Sequence, residues 1–165
     1  MTFQATDQPE FAFNPIDSIE DLAVTQDWSF HREDGDELLL ELTGRWGIYR
    51  LLFMWQPEAG AMQFSCHFGL KVMPRLRPRI LELLSMANEK TWFGHFELSS
   101  EDQVILFRHT ALIEQRVPGE ALKTMVEAAI GECDRFFPAF QYVVWGGQNP
   151  EQALMAALIE PVGEA

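Results

Sequence analysis

Cysteine is scarce in this sequence, and long apolar runs are missing. Only Cys66 and Cys133 occur among 165 residues, too few for a disulfide framework and without the paired spacing of a zinc site. No apolar run approaches the roughly 18 to 20 residues of a membrane helix, and the first residues lack the basic and apolar segments of a signal peptide. The sequence therefore predicts a cytoplasmic protein with reduced thiols and no membrane partner.

Cations are also few. Lysine and arginine number 12 against 25 aspartates and glutamates, so the net charge is -13. Residues 1–43 hold eleven acidic side chains and one basic one, Arg32, which gives this quarter of the chain -10 of that total. Because such a field repels phosphate backbones, nucleic acid is not an expected partner. The acidity suits either simple solubility or a basic protein partner.

Hydrophobic periodicity divides the chain into helices and strands, and 47% hydrophobic residues are enough for one core at this length. Residues 1–13 lack periodicity and are predicted to be a flexible N-terminal tail, and residues 14–165 to form a single domain. Helical spacing and capping signals predict four helices, at residues 14–27, 74–90, from 119 to a kink or end at Pro138, and 149–159.

Alternating and apolar runs predict six strands, at residues 28–33, 36–43, 48–55, 61–70, 92–98 and 103–111. Between the first two, Asp34 and Gly35 are expected to supply the positive φ angles of a tight hairpin turn. The element order is α-β-β-β-β-α-β-β-α-α. Short connections favour antiparallel pairing, so the sequence predicts an α+β fold in which a meander sheet packs with helices.

No pattern of catalytic or metal-binding residues emerges. Cys66 and His67 are neighbours on a predicted strand, so their side chains point to opposite faces and cannot act as a dyad. The four histidines, His31, His67, His95 and His109, are too widely spaced for a metal motif, although the hairpin register decides whether His95 and His109 approach each other. Because a glycine-rich phosphate loop is also missing, we expect no enzymatic activity, metal or cofactor.

The strand at residues 48–55 is apolar on both faces, which is unusual for a sheet with one solvated side. One face carries Tyr49, Leu51, Phe53 and Trp55. Helices on both sides of the sheet or burial against another chain explain this pattern equally well. In the second case the aromatic row is an interaction surface flanked by Gln63, Ser65 and His67, and the partner is another protein or a second copy.

Two further sites are candidates. The sequence has one basic patch, at Lys71, Arg75 and Arg79, where two arginines four apart on one helical face suit either an acidic partner segment or plain solvation. The alternative to protein binding is a small-ligand sensor, with a pocket between sheet and helices lined by Trp92, Phe96 and Phe107.

Several short motifs resemble the bacterial YbjN family. The likeness covers roughly residues 15–160 and follows Phe64-Ser65-Cys66, Asn88-Glu89, Trp92-Phe93-Gly94-His95-Phe96, Phe107-Arg108-His109 and Glu132-Cys133 through Trp145-Gly146-Gly147. Its family-motif residues include Asn88, Trp92, Gly94, His95, Arg108 and His109. The resemblance implies a fold similar to type III secretion chaperones, often dimeric, and a role in sensory transduction regulation. It supplies no catalytic residues, so the function we expect is chaperone-like holding of a partner segment or self-association.

Overall fold

The structure, a computed structural model, describes residues 13–159. Within them the chain forms four α-helices and one six-stranded antiparallel sheet. The helices are α1 (Pro15–Gln26), α2 (Arg77–Glu89), α3 (Gly119–Val144) and α4 (Pro150–Ile159). The strands are β1 (Ser29–Arg32), β2 (Glu37–Gly44), β3 (Gly47–Gln56), β4 (Ala61–Lys71), β5 (His95–Leu98) and β6 (Val104–Leu112). This order confirms the predicted α+β fold.

The predicted N-terminal tail lies outside the described residues apart from Phe13, whose half-buried ring packs on the core. The predicted domain limits therefore stay a prediction. The helix starts at residues 14 and 149 have the expected caps. The side chain of Asn14 accepts a hydrogen bond from Ile16 N at 2.9 Å, and that of Asn149 accepts one from Glu151 N at 3.0 Å. Each cap is followed by a proline, which suits the first position of a helix.

The strands are arranged in the order β1-β2-β3-β4-β6-β5, and the helices pack on one face of this sheet. One continuous core joins the buried residues of all four helices to alternate residues of the strands. Apolar residues on the other face, such as Leu39, Leu52 and Met54, are not part of that core. The domain is therefore a two-layer structure, and among residues 13–159 no element covers the second face of the sheet.

The turn between β1 and β2 differs from the prediction. Neither Asp34 nor Gly35 has a positive φ, so this is not the tight two-residue turn that the Asp-Gly pair suggested. The loop is instead held by side chains: Arg32 donates to the carbonyls of Asp34 and Gly35, and Asn14 donates to Gly35 O at 2.9 Å. The cap of α1 therefore also fixes the hairpin, which the local sequence could not reveal.

Helix α3 continues through Pro138 to Val144, so of the two predicted effects of Pro138, a kink or an end of the helix, the end is wrong. A proline has no N–H, and its presence frees the carbonyl four residues earlier, which here is that of Asp134. The indole Nε1 of Trp46 donates to this carbonyl at 2.9 Å. A side chain from the β2–β3 turn thus replaces the missing intrahelical donor.

The outer edge of β5 is closed by Asn88 from the end of α2. Its Oδ1 accepts from Phe96 N at 2.7 Å and its Nδ2 donates to Phe96 O at 2.9 Å. An unpaired strand edge is a template for association with other strands, and this pair of bonds satisfies both outward groups of Phe96. The structure thereby gives the family-motif residue Asn88 a structural role.

Candidate interaction surfaces

The aromatic row of β3 is not an interaction surface. Tyr49, Leu51, Phe53 and Trp55 are all buried in the core of the single chain, because the helices lie on their side of the sheet. The prediction of an intermolecular role for this row is therefore wrong. The row is buried within the chain, but the expected helices on both sides of the sheet are not present among residues 13–159, where only this face is covered.

Gln63, Ser65 and His67 lie on the opposite face from that row. The register pairs Gln63 with Met54, Ser65 with Leu52 and His67 with Arg50, and directly paired residues share a face. The expectation that these three flank the aromatic row is therefore wrong as well. They belong to the uncovered side of the sheet, which we call the open face.

The open face is defined by the outward residues of all six strands. Its centre is apolar, with half-buried Leu39, Leu52 and Met54, and Ile48 and Leu112 are exposed toward its ends. Its charged residues are three carboxylates and three cations. They are Glu37, Glu41, Glu97, Arg50, Arg108 and Lys71. The formal charge of this face is therefore zero, in a protein whose total is -13.

A polar network crosses the open face from β5 to β4. Glu97 contacts the guanidinium of Arg108 at 2.6 Å and the imidazole of His95 at 3.1 Å. Arg108 donates to Gln63 Oε1 at 3.2 Å, and Ser65 Oγ lies 3.0 Å from His67 Nε2. Because these polar groups already have partners within the chain, few of them would be left without a partner if another surface covered this face.

Three of the four histidines, His31, His67 and His95, lie on the open face, whereas His109 lies on the core face. The register places His95 opposite Arg108, so His95 and His109 point to different sides of the sheet. The ring of His109 packs against that of Phe93, with centroids 3.9 Å apart and the planes tilted by 32°. His109 is therefore a packed structural residue.

Acidic conditions are expected to destabilise the protein through His67 and His109. Burial lowers the pKa of both imidazoles; Asp102 and Glu97 partly oppose this at His67, and His95 reinforces it at His109. An unfolded chain protonates these groups near pH 6.5, about the unperturbed value. Below that pH the unfolded state binds more protons, so the free energy of unfolding falls as the pH falls toward the lowered folded values.

Urea unfolding at about pH 7.5 and about pH 5.5 measures this loss. The double variant His67→Gln/His109→Gln should show a smaller difference between the two conditions. His31→Gln, which removes an exposed imidazole, should keep the difference of the native chain. An equal pH dependence in all three proteins would contradict the assignment.

The predicted ligand pocket is not formed by its three aromatic residues. Phe96 and Phe107 are 2% and 0% exposed within the core, whereas Trp92 is fully exposed to solvent. The neighbours of Trp92 hold it outward: Thr91 Oγ1 donates to Ala87 O at 3.0 Å, and Phe93 packs beside Phe107. The three rings therefore do not line one cavity, and the prediction is wrong on this point.

The basic patch is less regular than predicted. A 3-10 turn at Pro74–Leu76 precedes α2, so Arg75 lies before the helix and its four-residue spacing to Arg79 does not define one helical face. Lys71, Arg75 and Arg79 are all exposed. Arg79 donates to Gly147 O at 3.0 Å and so ties α2 to the end of α3.

The two thiols are buried and form no disulfide. Cys66 points into the core while His67 points to the open face. Within residues 13–159, no three His, Cys, Asp or Glu side chains come together as a metal-binding group. None of the helices in that range is long and apolar enough to cross a bilayer.

Asp134 is the polar residue that sequence reasoning missed. Its Oδ1 accepts from Tyr49 Oη at 2.8 Å and from Arg45 N at 2.8 Å, while its carbonyl accepts from Trp46. Burial and the Asp134 carboxylate raise the pKa of Tyr49 well above its ordinary value. These partners lie 85 to 89 residues away in sequence, so no local signal marked this position.

Fold and surfaces together define a two-layer α+β protein with one uncovered sheet face. A family model named YbjN, described as "Putative bacterial sensory transduction regulator", matches residues 15–142. The chain belongs to the YbjN family. That membership places it in a family described as regulators and not among enzyme families.

A solved structure agrees on the fold. It is entitled "Crystal structure of YbjN, a putative transcription regulator from E. coli", and it superposes with a TM-score of 0.53 at 14% sequence identity. The match covers 74% of this chain and 90% of that chain. At this identity the likeness concerns architecture alone. No curated protein matches the sequence.

Proposed function

We propose that this protein is a non-catalytic regulatory domain that acts by binding protein, and that the open face is the surface through which two copies associate. The observation that carries the proposal is the uncovered sheet with a half-buried apolar centre, Leu39, Leu52 and Met54. Apolar area left on one face of a sheet gains free energy when a second surface covers it. The free thiols suit a reducing compartment, so the proposal includes a cytoplasmic location.

Charge favours a second copy as the occupant. Two molecules with a net charge of -13 repel each other over most of their surfaces, whereas the open face contributes no net charge. Its carboxylates are largely neutralised within the chain, since Glu41 pairs with Arg50 at 2.9 Å and Glu97 with Arg108. Like charges facing each other across an interface are costly, and this face avoids that cost.

The size of the open face is sufficient. Six strands spaced about 4.8 Å apart span about 24 Å, and the seven paired residues of β3 and β4 extend about 24 Å. The face therefore offers about 600 Å² per copy, or about 1,200 Å² for two copies, the lower end of the range for stable interfaces.

The substitution Leu52→Glu tests this proposal. A carboxylate at the centre of the open face would be buried against the second copy, so we expect the variant to be monomeric. Light scattering on purified protein should give about twice 18.9 kDa for the native chain and the single-chain mass for the variant. Leu81→Glu, at an exposed leucine of α2, is the matched control and should stay dimeric.

Thermal unfolding of each variant establishes that it is folded. A native chain that stays monomeric at its highest soluble concentration would contradict self-association through the open face. A dimer that persists in Leu52→Glu and is lost in Leu81→Glu would place the interface on the helical layer instead.

A further inference from the structure

A groove lies between the start of β1, the end of β2 and the middle of α3. Its volume is about 580 Å³. The floor is apolar, formed by Trp28 and Leu42 from the sheet side and by Val126 and Ile130 from α3. We call this feature the β2–α3 groove.

The rim of the groove is acidic. Four acidic residues line it, Asp27, Glu41, Glu127 and Asp134, and among residues 13–159 no lysine or arginine does. Arg50 contacts Glu41 at 2.9 Å and Lys123 contacts Glu127 at 3.9 Å. Four carboxylates against these two neighbouring cations still leave an excess of two negative charges, so the groove attracts a cationic occupant.

The backbone N–H and C=O of one residue of β2, Thr43, lie beside the groove and can form hydrogen bonds with an added segment. Glu33 N donates to Glu37 O at 3.0 Å, which shows that the backbone of Glu37 faces the β1 side. Because this orientation alternates along a strand, the N–H and C=O of Thr43 face the same side. Strand β1, however, pairs only as far as Glu41.

The residues before β1 do not pair with Thr43. The backbone N–H groups of Asp27 and Trp28 turn back to carbonyls of α1, at Val24 and Ala23. Within residues 13–159, the outward N–H and C=O of Thr43 therefore have no hydrogen-bond partner. An exposed strand edge of this kind accepts an added extended segment.

From the floor, rim and edge together we infer that the β2–α3 groove binds a basic, extended segment of another protein. The segment adds beside Thr43 in line with β1, places an apolar side chain on the floor and directs lysine or arginine side chains to the rim. This inference rests on the proposed protein-binding function and adds a second surface, which meets the open face at Glu41 and Thr43.

The chain's own ends do not fit the groove. Residues 1–12 carry Asp7 and Glu10, residues 160–165 carry Glu160 and Glu164, and neither segment has a lysine or arginine. Both would add negative charge to an acidic rim. The cations of a second copy, Lys71, Arg75 and Arg79, surround the start of a helix and do not form an extended segment.

The test uses a fluorescein-labelled heptapeptide in which Lys alternates with Val, and a counterpart with Glu in place of Lys. Fluorescence anisotropy with the full chain should show binding of the Lys peptide alone. Asp27→Asn/Glu127→Gln removes two rim charges and should weaken binding about tenfold. The matched control Glu58→Gln/Glu89→Gln changes charge equally at exposed sites away from the groove and should bind like the native chain.

Thr43→Pro tests the backbone contact. A proline is tolerated where the N–H faces away from the sheet, so this variant should unfold like the native chain yet bind the Lys peptide about five- to tenfold more weakly. Hydrogen exchange supplies the second readout. Binding of the peptide should slow exchange of the Thr43 amide, and the control peptide should not.

The outcomes separate this inference from the proposed function. Lys-peptide binding with unchanged Thr43 exchange and full affinity in Thr43→Pro would overturn the groove while protein binding stands. Equal binding of the Glu peptide, or no binding of either peptide, would also overturn the groove inference. The proposed role of the open face would then be tested separately, by the solution mass of the native chain and of Leu52→Glu. A dimer abolished by Asp27→Asn/Glu127→Gln would assign the groove to self-association instead.

Discussion

Gly94→Ala is expected to lower the free energy of unfolding by about 3 to 4 kcal/mol. Gly94 has a φ of +65°, a region in which a residue with a Cβ costs about 1 to 2 kcal/mol. An added Cβ would lie 2.3 Å from Phe107 Cζ and 2.7 Å from Arg108 O. The second contact is with backbone and cannot be relieved by rotating a side chain, so overpacking adds about 1 to 3 kcal/mol. Denaturant unfolding of the purified variant measures the sum.

Two other glycines serve as controls. Gly35→Ala and Gly131→Ala place their methyl groups in open space and require no positive φ. Gly131 lies within α3, where alanine favours the helix by up to about 1 kcal/mol, so that variant should be more stable than the native chain. A loss below about 1 kcal/mol for Gly94→Ala would show that the loop before β5 yields easily.

Gly94 also illustrates what the sequence could and could not reveal. The motif around it was recognisable as a family feature. The reason why glycine is required at this position, however, depends on contact with Phe107, a residue of β6. Helix starts were predictable because their signals are local: Asn14 with Pro15 and Asn149 with Pro150 contain cap and first turn within a few residues. The pairing of consecutive strands from β1 to β4 was accessible for the same reason, whereas the position of β6 between β4 and β5 was not.

The sequence did not reveal which face of β3 the helices cover. Both faces were apolar, and the side on which helices pack depends on how the connections after β4 and β6 place α2 and α3. The aromatic row was therefore assigned an intermolecular role that we now propose for the opposite face, at Leu39, Leu52 and Met54. Side-chain alternation alone correctly placed Gln63, Ser65 and His67 together on one face.

Pro138 shows why a reliable local rule failed. Proline ends a helix when the freed carbonyl finds no donor, and here the indole of Trp46 supplies one from 88 residues away. The β2–β3 turn and the middle of α3 thus complete each other. Neither segment carries a sign of this in its own sequence.

The same contact region makes Asp134→Ala the second substitution with a large expected effect. The carboxylate of Asp134 accepts from Tyr49 Oη and from Arg45 N, both at 2.8 Å. Tyr49 is 1% exposed, so its hydroxyl cannot turn to water when the acceptor is removed. A hydrogen bond to a charged group contributes about 1.5 to 3 kcal/mol, and an orphaned buried donor adds a penalty of about 1 to 3 kcal/mol. We expect Asp134→Ala to lower the free energy of unfolding by about 3 kcal/mol.

A double-mutant cycle with Tyr49→Phe isolates the buried bond, because the phenylalanine ring has no hydroxyl to orphan. Asp134→Ala should therefore cost clearly less in the Tyr49→Phe background than in the native one. Asp134→Asn keeps an acceptor oxygen at the same place and should cost less than Asp134→Ala. The bond from Trp46 to the Asp134 carbonyl is unaffected by all of these substitutions, so α3 should keep its helical content. Equal costs of Asp134→Ala in both backgrounds would mean that Tyr49 and Asp134 are not energetically coupled.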